Sequence, residues 1–159
     1  IYALEASGKI EMVELVKNED GNWEERGPEK QFRSNRATVI DVRGPLYFAV
    51  AYSLPELLPS AEAATNAAVI LRLRDRTPGA SLTGLVWLKK YAEELQASGN
   101  KLMLTGLIEE EIAAMEKSGV ADKVGTENIF PDNPQLFAST DAALSAAEEW
   151  IKRGSHKAE

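Results

Sequence analysis

Residues Ala67–Leu73 read AAVILRL, and this stretch decides the fold. A continuous apolar run of this length, without alternation, predicts a strand covered on both faces, as in the middle of a partly parallel sheet. Strands of that kind are joined by helical crossovers, so the flanking sequence should switch between short apolar runs and helical periodicity.

It does so in both directions. Upstream, Ala37–Val42 (ATVIDV) is rich in β-branched residues and predicts a second strand; Gly44-Pro45 breaks it before Leu46–Phe48 resumes an apolar run, as in a bent strand. Ser53 is placed to cap a short helix through Leu58, with Pro55 in its first turn and Pro59 just past its end. Glu11–Val16 (EMVELV) predicts a short strand, which completes an antiparallel pair at the N-terminal end. The polar stretch Asn18–Arg36, punctuated by Gly21, Gly27 and Pro28, reads as a long turn or loop. Downstream, Arg72, Arg74 and Arg76 mark the exit of the central strand towards solvent. Leu85, Leu88, Ala92 and Leu95 then recur at helical spacing, with Lys89–Glu93 and Lys90–Glu94 four apart on the other side and Gly99 as a left-handed terminator. Lys101–Thr105 is a further buried strand. Ile108, Ile112 and Met115 give an amphipathic helix closed by Gly119, with Glu109, Glu110 and Glu111 in the first turn, where the helix dipole favours negative charge. A short strand around Asn128–Phe130 and a helix from about Asp141 to Lys152, turning Leu144, Ala147 and Ile151 inward, complete the pattern. The fold class is α/β: a mixed, mostly parallel central sheet flanked by about four helices, with right-handed crossovers.

Composition narrows the function. With 18 basic and 25 acidic residues the chain carries a formal charge of −7, the wrong sign for a general nucleic-acid surface, so no nucleic-acid partner is expected. The absence of cysteine removes disulfides and thiolate metal sites. His156, the single histidine, lies in the polar stretch Lys152–Glu159, where a solvated side chain is expected, so a serine or cysteine hydrolase is disfavoured. The acidic clusters Glu109–Glu111 and Glu148-Glu149 read as helix-end and surface charge, and no metal site is expected. Neither a Walker A sequence nor a G-x-G-x-x-G pattern occurs.

One segment has the chemistry of a site. The loop Asp75–Gly84 (DRTPGASLTG) joins a buried strand to a helix, and free amides at a helix N-terminus attract anions and phosphate groups. Thr77, Ser81 and Thr83 contribute hydroxyls and Arg74 and Arg76 bring positive charge, with Gly79 and Gly84 in the same candidate ligand or partner loop. The plainer alternative is that Ser81 or Thr83 merely caps the helix and the arginines are solvated.

Five signatures in order, Val39–Phe48 (VIDVRGPLYF), Val69–Asp75 (VILRLRD), Leu82–Gly99 (LTGLVWLKKYAEELQASG), Lys101–Gly106 (KLMLTG) and Asn128–Pro131 (NIFP), together resemble a STAS domain, specifically that of SulP-type anion permeases. The resemblance spans about residues 37–152, with 1–36 as a connecting segment bearing the N-terminal strand and loop, and 153–159 as a polar tail. In the bacterial anti-sigma-factor antagonists of the same family the loop reads Asp-Ser-Ser-Gly, and its second serine accepts phosphate. Matching that glycine to Gly84 puts Thr83 at the phosphoacceptor position, Leu82 at the first serine and Ser81 at the aspartate, so the acidic neighbour is lost.

The resemblance implies a non-catalytic regulatory or assembly domain on the cytoplasmic side of a secondary transporter of sulfate, bicarbonate or a similar anion. Its implied partners are the transmembrane domain of the same polypeptide, a second copy in a homodimeric full-length protein, and a cytosolic protein bound through the Thr77–Thr83 loop. No cofactor is expected; a nucleotide is a small ligand that the resemblance admits. Ile1-Tyr2 in place of a starting methionine fits a fragment of a longer chain. The alternative is a free-standing antagonist-like signalling module switched by phosphorylation at Thr83.

Overall fold

The central apolar strand is buried at every residue. A computed structural model of the chain describes residues 11–43, 57–73 and 82–158, and within it β4 (Ala68–Leu73) lies inside a six-stranded sheet. The other strands are β1 (Glu11–Lys17), β2 (Trp23–Arg26), β3 (Ala37–Arg43), β5 (Lys101–Leu107) and β6 (Ile129–Pro131), in the order β2-β1-β3-β4-β5-β6. β3, β4, β5 and β6 run parallel to their neighbours, whereas β1 is antiparallel to both β2 and β3. The sheet is therefore mixed and mostly parallel, as the alternation of apolar runs and helical periods predicts.

Helices α1 (Leu82–Ala97), α2 (Glu109–Ser118) and α3 (Val120–Val124) share one apolar cluster with one face of the sheet, and α4 (Ala138–Ala158) shares another with the opposite face. Strand periodicity sorts the residues between them. Val69, Leu71 and Leu73 pack with Leu85, Leu88, Leu95 and Met115, while Val39, Ile70 and Met103 pack under Ala143, Ala147 and Ile151. The small alanines of α4, both fully buried, let its backbone approach the sheet closely. α1 ends as expected at Gly99, whose φ of 78° suits a residue without a Cβ. At the start of α2, the Glu111 carboxylate accepts the Ile108 amide at 3.0 Å.

Several sequence expectations are corrected. The polar stretch 18–36 is not all loop, because β2 pairs there with β1. The hairpin closes as Asn18 Oδ1 accepts the amides of Asp20 and Asn22, with Gly21 at φ 82°. β2 escapes apolar patterning because it is an edge strand, WEER, whose charges keep a sheet edge from pairing further. α4 is longer than expected at both ends and carries exposed His156 in its last turns. Asn66 secures that end, donating from Nδ2 to the Ile151 carbonyl at 2.9 Å. On α1 the Lys90–Glu94 pair forms at 4.0 Å, but Glu93 meets Lys123 of α3 at 3.6 Å rather than Lys89. The expected bend at Gly44–Phe48 and all but the last two residues of the helix expected from Ser53 to Leu58 lie outside the described residues.

Candidate functional site

In a parallel sheet with helical crossovers, helix N-termini gather at the carboxyl ends of the strands. Here α1 follows β4, α2 follows β5 and α4 follows β6, so their amino ends border one edge. Of the residues picked from sequence, Thr83 and Gly84 fall in the first turn of α1, with Gly84 buried. Arg74, Arg76, Thr77, Gly79 and Ser81 lie outside the described residues.

The described part of this edge holds polar chemistry that the sequence reading missed. Asp41, Arg72 and Thr105 are register partners across β3, β4 and β5, and all three are buried. Arg72 is thus not the start of a solvent exit. It continues the Ala68–Ile70 face of β4, which α4 covers, and its side chain is 9% exposed. Its Nη1 donates to Asp41 Oδ1 at 3.1 Å, and its guanidinium lies 4.7 Å from the Phe137 ring centroid. Phe137 in turn stacks on Trp23 at 5.7 Å. It reaches that position with φ 65°, a backbone region that a bulky side chain rarely adopts. Asp41 Oδ2 also accepts from Arg43 Nε at 3.1 Å. Hydrogen bonds to Glu25 and then Asp41 hold the Arg43 guanidinium above its ordinary pKa. A sequence signal for the pair exists: ATVIDVR and AVILRL each carry a charged residue at the fifth position, and the two are register partners.

Beside Arg72 the edge contains a cavity of about 40 Å³, lined among others by Gly106, Asp132, Phe137, Ser139 and Thr140. Thr105 and Thr140 bury hydroxyl oxygens that have no hydrogen-bond partner. The edge can therefore bind and orient a small polar group. Among the described residues no group of three or more His, Cys, Asp or Glu is placed to hold a metal ion, and no helix is long and apolar enough to cross a membrane.

Trp87 and Trp150, whose burial periodicity leaves open, are both half-buried. Trp87 stacks on Tyr91 at 4.8 Å, and Trp150 lies under the Lys101 ammonium at 5.0 Å. Burial lowers the Lys101 pKa; the charge of Glu127 partly opposes this, and that of Arg153 adds to it.

Comparison with known proteins agrees with this architecture. The crystal structure of a sulfate transporter family protein from Wolinella succinogenes superposes with a TM-score of 0.58 and 26% sequence identity, over 74% of this chain and 88% of that one. No curated protein sequence matches significantly. The STAS-domain family model matches residues 28–152, and with the six-stranded mixed sheet and helices on both faces the chain belongs to the STAS-domain family.

Proposed function

We propose that this chain is the non-catalytic regulatory and assembly domain of a SulP-type secondary anion transporter, held on the cytoplasmic side of the membrane. The observation that carries the reading is the likeness, over most of both chains, to a sulfate transporter family protein. In this reading the domain's partners are the transmembrane part of the same polypeptide, a second copy in the dimeric transporter, and a cytosolic protein. The contact for the cytosolic protein is the loop Thr77–Thr83 and the start of α1, where an added phosphate on Thr83 would sit at the positive end of a helix of 16 residues.

Two experiments test the proposal. The coding sequence upstream of Ile1 should contain about ten apolar segments of roughly 20 residues each. A start codon within a few residues of Ile1 overturns the transporter reading and leaves the free-standing antagonist-like module. In the full-length protein reconstituted into vesicles, Thr83→Glu should change anion uptake by about threefold or more, whereas Thr83→Ser should not. Unchanged uptake with both Thr83→Glu and Arg74→Ala removes the loop from regulation.

A further inference from the structure

On the face of the sheet that α1 covers, a cavity of about 580 Å³ opens between α1 and the segment ahead of β4. That volume is in the range of small-molecule sites. Its apolar lining among the described residues includes Leu58, Trp87, Tyr91 and Leu95, and the two aromatic rings stack at 4.8 Å with 18° between their planes. Both walls are held in place. On one side the Ser60 amide donates to the Lys30 carbonyl and the Ser60 carbonyl accepts from the Phe32 amide, each at 2.9 Å, and Phe32 is buried in the core. The Ser60 hydroxyl accepts the Glu62 amide at 3.3 Å. On the other side Leu88, Ala92 and Leu95 anchor α1 in the same apolar cluster. The Ser98 hydroxyl is used as well, donating to the Glu94 carbonyl at 3.1 Å. The Tyr91 hydroxyl is not: its oxygen is buried and has no hydrogen-bond partner. A buried polar atom without a partner is rare in a folded protein and marks a place where a further group fits.

Three features select the sign of the ligand's charge. Glu62 and Glu94 line the cavity against the single cation Lys30, and Glu62 has no ionic partner among the described residues. Glu94 has Lys90 at 4.0 Å, but both side chains are more than half exposed, so that pair is screened and weak. Lys123, the next nearest cation on this helix surface, is taken by Glu93 at 3.6 Å. The second feature is the helix itself: the 16-residue α1 ends beside the cavity with no basic residue in its last turn, and the negative end of its dipole favours a cation. The third is the pair of rings, whose faces attract positive charge and stack with flat apolar groups. We propose that this cavity binds a small aromatic monocation of the arylalkylamine class, its ring against Trp87 and Tyr91 and its ammonium towards Glu62 and Glu94. The inference depends neither on the transporter reading nor on the loop at Thr83.

The test uses the 159-residue chain, labelled with ¹⁵N and titrated to about 10 mM with phenethylammonium, methylammonium, phenethyl alcohol and 3-phenylpropionate in turn, at an ionic strength held with sodium chloride. The Ser60, Glu62, Tyr91 and Ser98 amides should shift saturably with phenethylammonium. Its affinity should exceed that of 3-phenylpropionate, which carries the same ring and the opposite charge, by about tenfold or more. Glu62→Gln, a change at an exposed position, should weaken phenethylammonium binding about threefold. Trp87→Leu should weaken it about tenfold, with retained dispersion of the amide spectrum showing that the domain is still folded. Absence of saturable shifts at these amides with phenethylammonium overturns the proposal. Equal affinities for the amine, the alcohol and the carboxylate overturn the assignment of charge, and methylammonium binding as tightly as phenethylammonium overturns that of the ring. Unchanged affinity in both Glu62→Gln and folded Trp87→Leu puts the amine at another site and overturns the proposal.

Discussion

Replacing Arg72 with methionine tests whether the buried polar row is an ion pair that the fold depends on. Methionine retains much of the apolar stem but leaves Asp41, whose side chain is 7% exposed, with Arg43 as its remaining cationic neighbour. Removing one partner of a buried pair costs about 3–5 kcal/mol, because the other charge stays desolvated. Arg43 moderates that cost, yet it is 39% exposed and also engages Glu25, so about 2–3 kcal/mol is expected from this source. Loss of the contact with the Phe137 ring adds up to about 1 kcal/mol. A total near 3 kcal/mol corresponds to a fall in Tm of roughly 6–12 °C for a domain of this size. The companion variant Asp41→Leu/Arg72→Met removes both charges and should recover to within about 1 kcal/mol of the parent, because a well-packed apolar pair is often as stable as a buried ionic one. Urea unfolding followed by far-UV circular dichroism and by tryptophan fluorescence would give all four corners of the cycle, with an expected coupling of about 2 kcal/mol or more. If Arg72→Met cost under about 1 kcal/mol and the double variant simply summed the two single losses, the row would be a solvated pair and the argument from burial would fail.

Gly154→Ala poses two effects of opposite sign: alanine is favoured over glycine within a helix by about 1 kcal/mol, but a Cβ there would lie 2.1 Å from Asn66 Oδ1. The clash should win, because Asn66 joins Ile151, Ser155 and Asn35, and the variant should have a lower urea midpoint than the parent. Burial, and secondarily the charge of Glu94, hold the Tyr91 phenol well above its ordinary value of 10.0. The unfolded chain therefore releases this proton first, and stability should fall as pH rises above about 10. Tyr91→Phe should reduce the drop in urea midpoint between pH 9 and 11, and an identical drop would show that Tyr91 does not contribute to it. Asn100→Ala should cost about 2–4 kcal/mol by urea unfolding, since Asn100 satisfies both the Ala67 amide and the Ala64 carbonyl at 3.0 Å from a buried position.

What the sequence made legible follows the reach of each physical signal. β4 and β5 were readable because strands covered on both faces need unbroken apolar runs, and α1 because one stripe of Leu85, Leu88, Ala92 and Leu95 must face a core. β2 was not, since an edge strand is specified by its pairing with β1 rather than by its own residues. Arg72 is the instructive case. Reading Arg72, Arg74 and Arg76 as a common exit to solvent used charge alone, whereas strand periodicity puts Arg72 on the face that also carries Ala68 and Ile70. Whether that face ends in solvent or in a polar pocket depends on what lies over it. The cover is the start of α4, more than 60 residues along the chain, with Phe137 in a backbone conformation that its own side chain disfavours. No local pattern encodes that placement, because stacking on Trp23 and contact with Arg72 are what hold it. The loop rule for α/β sheets looked only along the chain, from β4 into α1. The residues that line the cavity come from β4, β5, the segment before α4 and the start of α4, and the register between Asp41, Arg72 and Thr105 is the link by which a buried polar row could have been inferred from three separate strands.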